Sequence, residues 1–384
     1  MTLVFYSLFL NHHQACVADE FFKLLGTDYN FVELSASYDN KGASKDYTSR
    51  PYLIQTWKSA ENYEKAMNLA LTADACVFAG YESLPFEIAR LKRGLLSFDM
   101  GERLLKRGII NLASPRILKL LFAYYKNGWR NRPLYKLCCS AFTAKDCNNL
   151  GIFKGRCYKW GYFTDVDTNL DILSSQKNKP ISIMWCARFL TWKHPELAVE
   201  SARVLRDKGY KFHLNMFGDD ASAGTHDKLF PVSKIQALID KYDLSNFVTL
   251  RGKCPNDEIL RQMRSHNIFL FTSDRREGWG AVANEAMANG CVLVASDKIG
   301  SVAYLVQDGI NGFMFKSGNA EDLTQKITWL LDNPTEMEKM RQSAVSGMKD
   351  KWAPEYAANA LIQLVDNFSA GKETTFTSGP CSKA

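Results

Sequence analysis

Continuous apolar runs of strand length alternate with helical segments along this chain, and that alternation narrows the fold more than any other feature. LVFYSLFL (3–10) precedes the amphipathic VADEFFKLLG (17–26), and NFVEL (30–34) precedes NYEKAMNLALT (62–72). ACVFAG (75–80) and GLLSFD (94–99) read as two further buried strands. A strand apolar throughout is covered on both faces, and helices between such strands supply the cover. The pattern therefore predicts parallel sheets in an α/β chain. It lapses at 162–180, where TDVDTNLDILSSQKNKP is polar and aperiodic, which predicts an interdomain linker. It resumes with ISIMWCA (181–187), ELAVESARVLRDKG (196–209), FHLNMFG (212–218), KIQALIDKY (234–242) and FVTLRG (247–252). NDEILRQMRS, NIFLFTS, AVANEAMANG, CVLVAS and GFMF continue it to residue 315, and three helical segments close the chain. Two doubly wound domains facing a cleft are expected, since open α/β sheets bind ligands beyond the carboxyl ends of their strands. The boundaries read as 1–165, 166–352, a helix at 353–369 crossing back to the first domain, and a flexible tail at 370–384.

Composition adds exclusions. With 384 residues, 46% apolar and 23% charged, the chain can bury sizeable cores, which excludes disorder, collagen and coiled coil for the whole. No apolar run approaches the ~18 residues of a membrane span. The start lacks a basic segment and a cleavage site, so it reads as a buried strand rather than a signal peptide. Ten cysteines form no CxxC pair, and several lie in apolar runs. Free buried thiols fit a reducing, cytoplasmic setting, and no metal site is expected.

Charge is unevenly placed. Residues 1–165 hold 22 Lys+Arg against 15 Asp+Glu, so the whole net charge of +7 lies there. Twelve cations run from Arg90 to Lys136, opposed only by Asp99 and Glu102. Leu118, Leu121, Phe122, Tyr124, Tyr125 and Trp129 interleave with Lys119, Lys126 and Arg130. That mixture predicts an anionic partner, either an anionic membrane surface reached peripherally or, equally, a diphosphate-linked lipid. Nucleic acid is not expected, because no reader motif is present.

The chemistry concentrates at 267–296. A buried strand ends near Ser273, a loop carries Glu277-Gly278-Trp279-Gly280, a helix begins near Ala281 and stops at Asn289-Gly290, and a buried strand follows. Backbone N–H groups at such a loop-to-helix step suit a diphosphate. Glycines 278 and 280 allow close approach. Glu277 before the helix and Glu285 inside it can accept paired hydrogen bonds from vicinal hydroxyls, so sugar and ribose are natural targets.

This segment resembles the retaining nucleotide-sugar glycosyltransferases of the GT-B fold, family 4 type (glycosyl transferases group 1). The family's mark is two glutamates separated by seven residues in the pattern E-(G/S)-(F/W)-G, followed here by A-M-A-N-G and V-L-V-A-S. The resemblance implies two Rossmann-like domains, an acceptor-side one first and a nucleotide-sugar-binding one second. It implies that Glu277 contacts the donor hexose, that Glu285 holds the ribose, and that Gly278, Trp279, Gly280, Ala281 and Val282 line the donor. ISIMWCARFLTWKHP is similar to the family's segment whose arginine and lysine clamp the diphosphate, here Arg188 and Lys193. Ala187 replaces the usual glycine, and the form W-K-H-P resembles members of capsular and exopolysaccharide assembly. Gly218 matches the family's G-x-G position, with Asp220 in place of the second glycine, and Lys253 and Cys254 fall beside the nucleobase.

The first domain is less legible. His12 and His13 read as a β1–α1 loop at the acceptor side. The implied reaction moves a hexose-type sugar from a UDP- or GDP-sugar, as co-substrate and without a cofactor, to a saccharide or lipid-linked acceptor. Arg188, Lys193 and Glu277 would carry it, with the leaving phosphate assisting front-face attack. A nucleotide-sugar epimerase of this fold and a non-catalytic nucleotide-sugar-binding scaffold are the alternatives. A nicotinamide dehydrogenase and a P-loop NTPase are disfavoured by the lack of GxGxxG and GxxxxGK(S/T).

Overall fold

The computed structural model describes residues 1–36, 47, 49–166, 181–220 and 227–384; the predicted linker beyond Val166 lies outside them. They divide into two compact units, Met1–Asp165 with Lys351–Ala384, and Val166–Asp350.

The first unit runs β1 (Leu3–Ser7), α1 (His12–Leu25), β2 (Tyr29–Glu33), β3 (Leu53–Gln55), α2 (Ala60–Thr72), β4 (Ala75–Ala79), α3 (Leu84–Arg93), β5 (Ser97–Gly101), α4 (Pro115–Lys126), β6 (Leu134–Cys138), α5 (Thr143–Asn149) and β7 (Cys157–Lys159). Its described strands form one parallel sheet in the order β3-β2-β1-β4-β5-β6-β7. All five residues of β1 are buried, as a strand covered on both faces requires. The apolar pattern did not mark β6, because Lys136 interrupts it. That lysine is 3% exposed and pairs with Asp99 at 3.0 Å.

Three expectations about this unit need correction. First, 12–13 is not a loop: α1 begins at His12, and Asn11 Oδ1 caps it by accepting from the backbone N–H of His13 (3.0 Å) and Gln14 (3.2 Å). Second, the tail expected to be flexible at 370–384 is packed at its end, where residues 379–382 are buried. Cys381 N–H donates to the Lys159 carbonyl (2.8 Å), Lys159 N–H to Ser382 (2.8 Å) and Ala384 N–H to Cys157 (3.1 Å). The open edge of β7 offers unpaired peptide groups that any backbone can satisfy, whatever its side chains. Third, the basic stretch is not uniformly a surface. Arg90 is buried and donates to the carbonyls of Ala70, Asp74 and Leu96 at 2.9–3.0 Å. Arg103 pairs with Asp146 at 3.1 Å, and Tyr124 and Trp129 are core residues.

The second unit runs β8 (Ser182–Cys186), α6 (Pro195–Asp207), β9 (His213–Phe217), α7 (Val232–Lys241), β10 (Val248–Gly252), α8 (Asn256–Ser265), β11 (Ile268–Phe271), α9 (Val282–Ala288), β12 (Val292–Ser296), α10 (Val302–Leu305), β13 (Gly312–Phe315), α11 (Ala320–Asp332) and α12 (Pro334–Lys351). Its parallel sheet has the order β10-β9-β8-β11-β12-β13. Ile183, Trp185, Leu214, Met216, Ile268 and Leu270 are all at most 2% exposed in its core. The chain winds outward from β8 to β10, returns to β11 beside β8, and winds outward again to β13. The connections after β8 and β11 therefore lead toward opposite edges of the sheet, which makes the carboxyl ends of these two strands its switch point. The last helix, α13 (Pro354–Ser369), packs on α1 of the first unit, and its Phe368 stacks on Tyr135 with ring centroids 4.3 Å apart.

Candidate functional site

Four loops carry the expected residues of the second unit to the carboxyl edge of its sheet. The loop after β8 holds Arg188 and Lys193, and the loop after β11 holds Glu277–Ala281. Gly218 follows β9, and Lys253 and Cys254 follow β10.

The β8 and β11 loops are stitched together. Asp274 N–H donates to the Trp192 carbonyl at 2.9 Å, Thr272 Oγ1 to the Lys193 carbonyl at 2.6 Å, and Trp185 Nε1 to Thr272 Oγ1 at 2.9 Å. Lys193 Nζ forms an ion pair with Glu277 Oε2, each side chain being 12% exposed. The two residues assigned to diphosphate and hexose are thus already partners. Arg188 differs: it is exposed, and its guanidinium has no partner among the described residues.

Trp279 does not line the surface. Its side chain is fully buried, and its indole N–H donates to Asn284 Oδ1 at 2.8 Å, so it anchors the loop from beneath. The ring is too large and apolar to stay exposed when a core pocket can take it. Gly280 sits at φ +83°, and a Cβ there would lie 2.5 Å from the buried Phe271 ring. Only glycine lets the chain turn there into α9.

Glu285 lies one turn inside α9 and is only partly exposed. Burial pushes its carboxyl up to about 7, against the opposing hydrogen bond from Asn256. Asn256 opens α8 directly after Lys253-Cys254-Pro255, so this bond draws the β10 loop to Glu285. Cys186, pushed up to about 12 by burial, feels both Glu285 and Cys254. The expected ribose and nucleobase residues are thereby brought together.

Sequence reasoning passed over three members of this cluster: Asn256, Asp274 and His194. His194 holds a left-handed backbone (φ 50°) between the turn at Thr191–Lys193 and α6. Its ring lies 3.6 Å from Asp274 Oδ2 and 2.8 Å from Glu196 Oε1. These carboxylates, Asp274 first, push it up to about 9. Although burial alone would raise Asp274, His194 and Arg276 hold it well below the usual carboxylate range. An imidazolium with a raised folded pKa stabilises fully below its ordinary 6.5 and loses that contribution as pH rises through about 9. His194→Asn tolerates the left-handed backbone. It should unfold about 1–2 kcal/mol more easily than wild type near pH 6, a modest figure because the side chain is 26% exposed. In denaturant titrations the gap should shrink by about pH 10. An equal gap at both pH values would point to lost packing instead.

In the first unit, His12 is exposed and its ring centroid lies 3.7 Å from that of His13. Burial, then the neighbouring His12, pushes His13 down to about 3, and burial also lowers His12. Both rings are neutral near pH 7. They can donate or accept one hydrogen bond, but His13 is a poor base.

Residues 166–346 match the family described as glycosyl transferases group 1. An uncharacterized glycosyltransferase of Methanocaldococcus jannaschii is 33% identical over 126 residues, 33% of this chain and 32% of that protein. The amylovoran biosynthesis glycosyltransferase AmsK of Erwinia amylovora is 24% identical over 198 residues, 50% of this chain and 46% of that one. The matches thus span 32% and 46% of the lengths of these two relatives. The crystal structure of Anabaena HepE in complex with UDP superposes with a TM-score of 0.72 at 16% identity, covering 96% of this chain and 100% of that one. The lipopolysaccharide outer core galactosyltransferase WaaB, in its apo form, gives 0.68 at 13%, with the same coverage. At these identities the likeness shows the fold, two Rossmann-like parallel-sheet units of GT-B type.

Proposed function

We propose that this chain is a retaining glycosyltransferase of polysaccharide assembly. It transfers a hexose-type sugar from a nucleoside-diphosphate sugar to a hydroxyl of a saccharide or lipid-linked saccharide. The observation that carries this reading is Arg188, exposed and without a partner among the described residues, in the same β8 loop as Lys193 of the Lys193–Glu277 pair, at the switch point of the second unit. As the glycosidic C–O bond breaks, negative charge grows on the leaving diphosphate, and Arg188 and Lys193 stabilise it. Glu277 accepts from the hexose hydroxyls and keeps Lys193 in place. Glu285 accepts from the ribose, and the loop at Lys253 and Cys254 borders the base. The acceptor hydroxyl attacks on the face the phosphate leaves, its proton passes to that phosphate oxygen, and configuration is retained. Neutral His12 and His13 serve acceptor binding in the first unit. UDP, bound in the HepE structure, is the first nucleotide to try.

The test is a panel of UDP- and GDP-sugars. One nucleotide should raise the melting temperature, and its labelled sugar should pass to a saccharide or membrane extract with the donor's anomeric configuration. No melting shift with any nucleotide would sink the reading. Donor conversion without acceptor would favour an epimerase.

Glu285 makes nucleotide binding pH-dependent. The ribose hydroxyls donate to the carboxylate, so binding must remove the proton that burial retains up to about 7. Affinity should fall about tenfold between roughly pH 8 and pH 6, a change of one pKa unit's worth of binding free energy. Glu285→Gln should bind more weakly at pH 8 and show a flatter profile. Because the diphosphate titrates in both proteins, the difference between the two curves is what isothermal calorimetry must read. Parallel curves would remove Glu285 from the ribose.

A further inference from the structure

α4 is apolar on two sides, and only one of them is used. Ile117, Ala123 and Tyr124 face the core. Tyr124 donates from its hydroxyl to Asp99 Oδ2 at 2.6 Å, and lies 2.9 Å from Glu87 Oε1. Burial, then Asp99, pushes the Glu87 carboxyl well above its usual range, which favours the protonated form that can return a hydrogen bond to the phenol. This buried triad pins the helix.

The opposite side faces solvent. Leu118, Phe122 and Tyr125, at one-turn and two-turn spacing, are 54%, 67% and 46% exposed, and the preceding turn adds Ile110 at 78% and Leu112 at 40%. Five of the thirteen exposed large apolar side chains among the described residues therefore fall within residues 110–125, a concentration that marks an interaction surface. Arg116, Lys119, Lys126 and Arg130 are exposed around them, and no Asp or Glu occurs from 103 to 145. Lys126 Nζ lies 5.6 Å from the Phe122 ring centroid and Arg130 5.4 Å from that of Tyr125, so the cations rim the rings.

We propose that this face docks the first unit on an anionic bilayer. α4 lies in the plane of the interface, with Leu118, Phe122 and Ile110 at the acyl boundary and the four cations among headgroup phosphates. At twelve residues the helix is about 18 Å long and rests on the surface rather than spanning it. Among the described residues no helix is long and apolar enough to cross a membrane. Charge complementarity selects this occupant. A second copy of the same face would bring eight cations together without an acidic partner, and a nucleic acid would leave the aliphatic side chains unused. Docking stands on α4 alone; its use, to meet a lipid-linked acceptor, rests on the glycosyltransferase reading.

The experiment is co-sedimentation of the full chain with vesicles of phosphatidylcholine, alone or mixed with phosphatidylglycerol, at low and high salt. Binding should require the anionic lipid and disappear at high salt. Each cation near an anionic surface strengthens partitioning about fivefold, so the triple variant Lys119→Gln, Lys126→Gln, Arg130→Gln should lose about a hundredfold. Leu118→Ser with Phe122→Ser should lose at least about tenfold with all charges kept. Both variants change exposed side chains, so melting temperature and nucleotide response should match wild type. Three results would each overturn docking: no sedimentation at low salt, equal binding to neutral vesicles, or a dimer in sedimentation velocity that Phe122→Ser dissolves. Vesicle binding is read without nucleotide and nucleotide binding without vesicles, so failure of one reading leaves the other visible.

Discussion

Gly218→Ala should disable the second unit's site more thoroughly than loss of any single contact side chain. Gly218 follows β9 at φ +134°, and a Cβ there would lie 2.0 Å from the Ala187 carbonyl oxygen. That oxygen is backbone, so no rotamer change relieves the collision. The two loops are also tied on both sides of it: Ala187 N–H donates to the Phe217 carbonyl at 3.1 Å, and Phe189 N–H to Asp219 at 3.0 Å. Either β8 and β9 part at their ends, or the loop carrying Arg188 moves outward. The expected cost is roughly 3 kcal/mol or more, in the range of severe core disruptions. Any protein that still folds should show no melting shift with the donor nucleotide. Gly209→Ala is the control. Its φ is also positive (+80°), but a Cβ there meets nothing within 4 Å, so it should cost only about 1–2 kcal/mol. If the two variants melt alike, the close approach of Gly218 to Ala187 has no consequence.

Arg188→Ala should lower turnover about 10²- to 10³-fold while the fold stays as stable as wild type. Its guanidinium is exposed and unpaired among the described residues, so its removal leaves no polar group stranded. On the proposed mechanism it faces a charge that grows toward the transition state, and deleting one such donor typically has an effect of that size. Lys193→Ala should show a similar fall in turnover together with a lower melting temperature. It leaves the Glu277 carboxylate, 12% exposed, without its cation. The contrast between the two variants separates chemistry from support. Steady-state kinetics decides the role: a raised KM with turnover intact would mean that Arg188 only holds the bound donor.

The expectations that failed share a cause. The sequence shows Arg90 and Lys136 as two of twelve cations, yet both are interior, because a charge can be buried wherever carbonyls or a carboxylate converge on it. The polarity of residues 371–384 suggested freedom, but the peptide groups of Cys381, Ser382 and Ala384 pair with β7. Composition reports on side chains and says little about backbone pairing.

What the chain determines by itself is periodic and local. Buried parallel strands announce themselves as unbroken apolar runs, and helices as amphipathic segments, because each repeats the geometry of its own backbone. The strand–loop–helix–strand at 267–296 is legible for the same reason, and it fixes Glu277 and Glu285 relative to each other within one loop and helix. The tertiary structure alone decided the partnerships across loops: Lys193 with Glu277, His194 with Asp274, and Asn256 with Glu285. These join residues 84, 80 and 29 positions apart, and they meet only because β11 returns to lie beside β8 and the β10 loop reaches α9. No local period encodes which strands become neighbours. That choice belongs to the packing of the whole unit, and with it come the pairings that set charge and position at the site.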